Sequence, residues 1–188
     1  MTILDIDRIR QFFETYQYKK CENRNLIRAA VLILLFERNK KIHIVLTRRT
    51  LEVEHHKGQV SFPGGMSEDS DATIVDTALR EAEEEIGLAK KSVDILGILS
   101  DYPTYSGFCV TPVIAFLASP PIFSINKREV SEIFDVPMSF FLDSGNMRVE
   151  QRLHNDKIID VYFYTYENYD IWGVTAGIIH SFLSVLTR

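Results

Sequence analysis

Two cysteines in 188 residues are too few for a disulfide framework, and Cys21 and Cys109 stand in no metal-binding spacing. Scarce cysteine suits a reducing compartment, and the cytoplasm is the expected setting. A basic excess is missing too. Lys and Arg number 21 against 26 Asp and Glu, a net charge of −5, and no basic tract offsets it. That balance argues weakly against non-specific nucleic-acid binding and against an RNA-cap hydrolase, which needs a basic groove. Long apolar runs are absent as well. The longest, residues 29–36, is too short to cross a bilayer. The N-terminal stretch carries Asp5 and Asp7 and lacks the charged-then-apolar design of a secretory signal. The final Leu-Thr-Arg is not a peroxisomal address of the Ser-Lys-Leu type. Neither membrane nor nucleic acid is an expected partner. With no repeat, low-complexity segment or interdomain linker, the chain is expected to form one domain over 1–188. An N-terminal helix within 1–20 would extend it.

What is present reads as a mixture of helices and strands. Ile3, Ile6, Ile9, Phe12, Phe13 and Tyr16 recur at helical spacing. Residues 29–36 form a short continuous apolar run, as in a buried strand. Asn39-Lys40-Lys41 then reads as a hairpin turn, with 41–47 as the return strand. A short strand is expected around 59–62, followed by a polar loop from Gly65 to Asp71. Ser70 or Asp71 can cap the next helix, and Gly87 can end it. Strands are expected at 93–100 and 108–117, with a break at Pro120-Pro121. A strand and a helical turn follow over 130–134 and 137–142. A hairpin of 147–151 with 158–164 and a helix over 172–186 close the chain. The class expected is α+β, with a mixed sheet between helices.

The chemistry concentrates where Gly64-Gly65 leads into Arg80-Glu81-Ala82-Glu83-Glu84-Glu85-Ile86-Gly87-Leu88. On a helix, Glu81, Glu84 and Glu85 share an arc of about 100°. Val75, Ala78, Leu79, Ala82 and Ile86 share another, centred roughly 130° away. The second arc packs on a core and leaves the carboxylates facing outward. Crowded like charges disfavour a bare helix. A divalent cation would relieve them, and hard oxygen ligands suit Mg²⁺ or Mn²⁺. The competing use is a solvated acidic face. The glycines let backbone approach a metal or phosphate. Arg80 either holds Glu84 or Glu85 by a charged hydrogen bond or forms a surface ion pair. Arg48 and Arg49 end a strand, either to meet phosphate oxygens or as solvated charge. His55 and His56 lack a metal partner at useful spacing and read as loop residues. Tyr102, Tyr105 and Phe108 either wall a substrate arm or simply pack. Trp172 reads as a helix-start anchor.

These residues resemble the Nudix box: Gly, five residues, Glu, seven residues, Arg-Glu-apolar-x-Glu-Glu-x-Gly-apolar. From Arg80 to Leu88 every fixed position matches. Upstream, Asp71 stands in place of the first Glu, and eight residues rather than seven separate it from Arg80, so no role is carried over to it. Leu46-Thr47-Arg48-Arg49-Thr50 and Gly58-Gln59-Val60-Ser61-Phe62-Pro63-Gly64-Gly65 resemble the extended motif of the coenzyme A pyrophosphatase branch. In that branch the longer loop is usual. Ile171-Trp172-Gly173-Val174-Thr175-Ala176 matches as well, whereas Glu54 stands where an arginine is common.

The resemblance implies a Nudix-type α/β/α sandwich and metal-dependent hydrolysis of the pyrophosphate of coenzyme A or acyl-coenzyme A. The products would be 3′,5′-ADP and (acyl-)4′-phosphopantetheine. It implies Mg²⁺ or Mn²⁺ at Glu81, Glu84, Glu85 and the Gly65 carbonyl. Catalytic work would fall to Glu84, Glu85, Arg80 and a carboxylate from a later loop, Glu129 or Glu132, with Glu129 preferred. Arg48, Arg49, Gly64 and Gly65 would contact substrate. The alternatives are a broader pyrophosphatase for ADP-ribose, NADH or dinucleoside polyphosphates, and a non-catalytic nucleotide-binding Nudix domain. The partner is a small nucleotide, and a homodimer is the assembly left open.

Overall fold

A computed structural model describes residues 5–51, 57–119 and 122–187. Ile3, Glu54, His55, His56, Pro120 and Pro121 lie outside the described residues. The helix-spaced apolar residues near the N-terminus form α1 (Ile6–Thr15), whose N-cap Asp5 accepts a hydrogen bond from the Arg8 N–H. The apolar run becomes β1 (Ile27–Arg38), which turns into β2 (Lys41–Arg49). Asn39 and Lys40 take φ of 51° and 61°, the double positive-φ geometry whose twist matches two antiparallel strands. The turn is thus two residues, and Lys41 already pairs with Arg38.

Next come β3 (Val60–Ser61), β4 (Gly64–Met66) and α2 (Ile74–Ile86). The expected polar loop from Gly65 therefore begins as a strand, because β4 pairs with β1 through Ala29↔Met66, Ala30↔Gly65 and Val31↔Gly64. Neither Ser70 nor Asp71 caps α2. Thr73 does, accepting from the Asp76 N–H, because the Asp71 carboxylate is engaged elsewhere. Gly87 ends the helix in the left-handed region at φ 67°. The chain continues through β5 (Val93–Ile98), β6 (Tyr102–Pro103), β7 (Phe108–Leu117), β8 (Val130–Pro137) and α3 (Met138–Leu142). It ends with β9 (Met147–His154), β10 (Lys157–Tyr166), β11 (Tyr169–Trp172) and α4 (Gly173–Leu186). The short β11 went unseen in the sequence, where 172 was read only as a helix start.

The main sheet runs β3-β2-β1-β7-β5, with β4 also on β1, β6 on β7 and β8 on β2. β1 and β7 are parallel from Ile27↔Phe108 to Phe36↔Leu117, and their other neighbours are antiparallel, so the sheet is mixed. A second sheet, β11-β10-β9, accompanies α4. Side chains of β1 alternate between two cores, as a period of two requires. Ala30, Leu32, Leu34 and Phe36 pack with Ala78, Ala82 and Ile86 of α2. Ile33 and Leu35 pack with Ile9 of α1 and Ile178, Ile179 and Phe182 of α4. Helices on both faces make this the expected α/β/α sandwich.

The connector after α1 is fastened by one carboxylate. Asp101, its side chain 1% exposed, accepts from Tyr18 Oη at 2.8 Å, the Cys21 N–H at 2.8 Å, Arg28 Nη1 at 2.8 Å and Thr111 Oγ1 at 2.5 Å. Burial alone would raise its pKa. The Arg28 guanidinium and the other donors outweigh burial and hold it at about 2. A folded-state pKa below the unfolded one stabilises at higher pH and is lost as pH falls through the folded value. Asp101→Asn should therefore lie well below wild type in urea midpoint at pH 6. The gap should narrow as pH falls from about 4, the free Asp value, toward 2. A gap constant across that range would contradict the assignment.

Candidate active site

Arg80 stands at the centre of the acidic helix, and its side chain is only 14% exposed. Its guanidinium makes five hydrogen bonds. Nε and Nη2 grip Asp71 at 3.0 and 3.1 Å, Nη2 also reaches the Met66 carbonyl at 2.9 Å, and Nη1 reaches Glu81 at 2.9 Å and Glu84 at 3.3 Å. Asp71, which the sequence offered as a mismatch to the box and as a helix cap, is the two-oxygen partner of that fork. It also accepts from Thr77 Oγ1 and the Glu68 N–H, both at 2.9 Å. The Arg80 guanidinium, with these donors, holds the Asp71 carboxyl well below the usual range against the opposing effect of burial. The box arginine thus ties the segment after β4 to α2.

The three glutamates do not share a solvated face. Glu84 is exposed and turned to Arg80. Glu81 is largely covered, and Glu85 is 2% exposed. The expectation of an outward acidic stripe fails because β4 lies across it. Gly64 donates its N–H to Glu85 Oε2 at 3.2 Å. A Cβ on Gly65 would stand 2.5 Å from Glu81 Oε1, so a side chain there would push that carboxylate from its place. Gly64 has φ 154°, and a Cβ there would strike the Ala30 carbonyl of β1.

Burial drives the Glu85 pKa up to about 8. The Gly64 N–H and Arg49 oppose the shift, and the charges of Glu81 and Glu129 add to it. Burial likewise raises Glu81, against its bond to Arg80. A concentration of carboxylate charge beside a side-chain-free backbone is a donor set that fits a hard divalent cation. Among the described residues, no three Asp, Glu, His or Cys side chains are drawn together as a ready cage. Glu81 and Glu85 face the glycines, while Glu84 stays with Arg80.

Two further elements close the site. The segment before β8 lies against the end of α2, with the Asn126 N–H donating to the Glu85 carbonyl at 2.9 Å. Asn126 Nδ2 donates to Glu129 Oε1 at 2.9 Å, and the Glu129 carbonyl receives the Thr50 N–H at 2.9 Å. Glu129 is therefore held where its charge acts on both Glu81 and Glu85. Glu132 accepts from Tyr169 Oη at 2.7 Å instead. At the end of β2 the pairing with β8 shifts between Arg48 and Arg49, a bulge that re-aims side chains. Arg48 is exposed, opposite Glu132. Arg49 turns inward, with Nη1 3.6 Å from Glu85 Oε1, and its buried Nε has no hydrogen-bond partner among the described residues.

A cavity of about 390 Å³ opens beside Gly64, Gly65 and Arg49. Phe108 lines it. Tyr102 instead packs its hydroxyl against Gly177 of α4, and Tyr105 is exposed against His154. Trp172 is the N-cap residue of α4, stacks on Phe163 with ring centroids 6.1 Å apart, and contributes to the same cavity. Val174 and Ile178 of α4 line it too. Val174 stands in the matching stretch from Ile171 to Ala176 without a role, and Ile178 went unmarked, because apolar side chains on a terminal helix look like any core stripe.

The family description NUDIX domain matches residues 26–171, so α1 and α4 lie outside the matched segment. The protein named "Uncharacterized Nudix hydrolase NudL" of Photorhabdus laumondii subsp. laumondii is 40% identical over 154 residues, 81% of each chain. Its namesake from Escherichia coli O7:K1 is 35% identical over 84% of this chain and 82% of its own. Among solved structures, a Nudix hydrolase from M. smegmatis, RenU, superposes with a TM-score of 0.52 at 25% identity, covering 62% of this chain and 74% of that one. A C. elegans Ap4A hydrolase in a binary complex gives a TM-score of 0.51 at 18% identity, covering 61% and 82%. At that identity the second likeness speaks for the fold alone.

The Gly65 contact can be tested with Mn²⁺ as a probe of hard-oxygen sites. Gly65→Ala should displace Glu81 and weaken Mn²⁺ binding, followed by electron paramagnetic resonance, by about tenfold or more. Binding as tight as wild type would show that Glu81 does not depend on the bare backbone of β4.

Proposed function

The chain belongs to the NUDIX family, and from that premise we propose that it hydrolyses the pyrophosphate of coenzyme A or an acyl-coenzyme A, releasing 3′,5′-ADP and (acyl-)4′-phosphopantetheine. The supporting observation is the placement of buried Glu81 and Glu85 against Gly64-Gly65, at the edge of a cavity that Arg49 enters. The upstream motif from Leu46 to Gly65 selects coenzyme A among Nudix substrates, because the box reads the pyrophosphate and not its ends.

Glu81, Glu85 and the Gly65 carbonyl would hold Mg²⁺ or Mn²⁺, with Glu84 beside them. Such ions, when bound, supply charge against the pyrophosphate oxygens and acidify water. The rest of the work is positioning. Arg80 holds Glu81 and Glu84 in place from behind. Glu129, oriented by Asn126, is the carboxylate suited to accept a proton from the attacking water. Arg49 offers a guanidinium to a phosphate oxygen while facing Glu85. Arg48, exposed on the other side of β2, serves at most the outer end of the nucleotide. Among the described residues no helix is long and apolar enough to cross a membrane, and the cytoplasm is the setting proposed.

Ranking substrates tests the reading. With Mg²⁺, kcat/KM for coenzyme A should exceed that for ADP-ribose, NADH and diadenosine polyphosphates by at least about tenfold. Glu85→Gln should lower the rate by about a hundredfold, roughly 2.7 kcal/mol of transition-state stabilisation. ADP-ribose ahead of coenzyme A would move the protein to the broader pyrophosphatases. A Glu85→Gln enzyme near wild-type rate would remove the metal-site assignment.

A further inference from the structure

Coenzyme A has two unlike ends. The 3′-phosphoadenosine end carries a phosphomonoester, with a charge of about −1.5 to −2 at neutral pH. The pantetheine end is uncharged, with methyl groups, two amides and a thiol or thioester. The cavity beside Gly64-Gly65 discriminates between them. Among the described residues, Arg49 is its one lining residue with a formal charge, and that guanidinium already faces Glu85 at 3.6 Å. Phe108, Val110, Trp172, Val174 and Ile178 supply an apolar wall. A dianion buried there would lack a free counter-charge, whereas an uncharged arm would not. At about 390 Å³ the space lies toward the small end of ligand sites, which span roughly 300–1,000 Å³. It suits one arm of the substrate rather than both.

We propose that this cavity receives the uncharged pantetheine arm, that Trp172, Val174 and Ile178 are its specificity-determining residues, and that the 3′-phosphoadenosine end lies outside it. The assignment rests on the coenzyme A reading above. The wall from Trp172 onward lies beyond the matched family segment of 26–171 and begins in the stretch from Ile171 to Ala176 that resembles the coenzyme A branch. Among the described residues no side chain caps α4, and Gly173, Val174 and Thr175 of its first turn line the cavity, so N–H groups without an intrahelical partner are donors that amide carbonyls of the arm can use. A phosphate could also be drawn to a helix N-terminus, and the test separates the two.

The probes are pantetheine and 3′,5′-ADP, each measured as an inhibitor of coenzyme A hydrolysis. Val174 is 38% exposed and lies in the first turn of α4, where an aspartate is favoured by the helix dipole, so Val174→Asp should fold. In this variant inhibition by pantetheine should weaken by about tenfold or more, while inhibition by 3′,5′-ADP stays within about twofold of wild type. Weakened 3′,5′-ADP inhibition with unchanged pantetheine inhibition would place the nucleotide end in the cavity and overturn the proposal. A second measurement needs only wild type. Pantetheine and 3′,5′-ADP should inhibit together, each without excluding the other. Mutual exclusion, or no inhibition by millimolar pantetheine, would also overturn it. A wild-type protein that leaves coenzyme A intact while cleaving ADP-ribose would instead sink the coenzyme A reading itself.

Discussion

The fork of Arg80 on Asp71 holds the rest of the site together. A lysine in its place would offer one charge and three donors on a flexible stem, with no planar fork. The guanidinium instead spans Asp71, the Met66 carbonyl, Glu81 and Glu84 at once. This fixes the segment after β4 against α2 and sets β4 over the acidic face of the helix. Glu81 then lies against Gly65, and Glu85 comes within reach of the Gly64 N–H. Asp71 and Glu81 are shielded, whereas Glu68 and Glu84 are exposed, so the pairs to Asp71 and Glu81 contribute more than surface bridges do.

Around that fork the fold confines carboxylate charge. α2 packs Ala78, Ala82 and Ile86 on the inner strands, so its other side cannot rotate away from β4. The segment carrying Asn126 and Glu129 closes the C-terminal end of the helix through the Glu85 carbonyl. The result is a set of raised-pKa carboxylates that would be costly in a purely structural role. Glycine is required where these groups crowd the backbone, and apolar residues begin a few ångströms further on. The carboxylates and the apolar wall thus stand at two ends of one opening.

Much of this was legible in the sequence, for reasons that can be named. The continuous apolar run of β1 and the helical stripe of α2 encode burial directly, and Gly87 marks the left-handed stop of that helix. The carboxylates were legible as residues but not as an environment. Helical geometry puts Glu81, Glu84 and Glu85 on one arc, yet whether that arc meets water depends on β4, whose three-residue pairing with β1 is too short to read. Asp71 was misjudged because counting residues along a loop says little about where a carboxylate ends in space. Arg48 and Arg49 looked alike until the bulge at the end of β2 separated them. Glu129 and Glu132 looked alike until Tyr169 engaged Glu132. The cavity wall on α4 showed in the sequence only as the matching stretch from Ile171 to Ala176, with nothing to say that it lines a cavity.

The proposed metal binding depends on Arg80 setting the carboxylates in place. Mn²⁺ binding to wild type and to Arg80→Lys, followed by electron paramagnetic resonance with thermal unfolding in parallel, probes that dependence. Affinity should fall by about tenfold or more, while the unfolded fraction at the assay temperature stays negligible. Mn²⁺ affinity unchanged in a folded Arg80→Lys protein would contradict it.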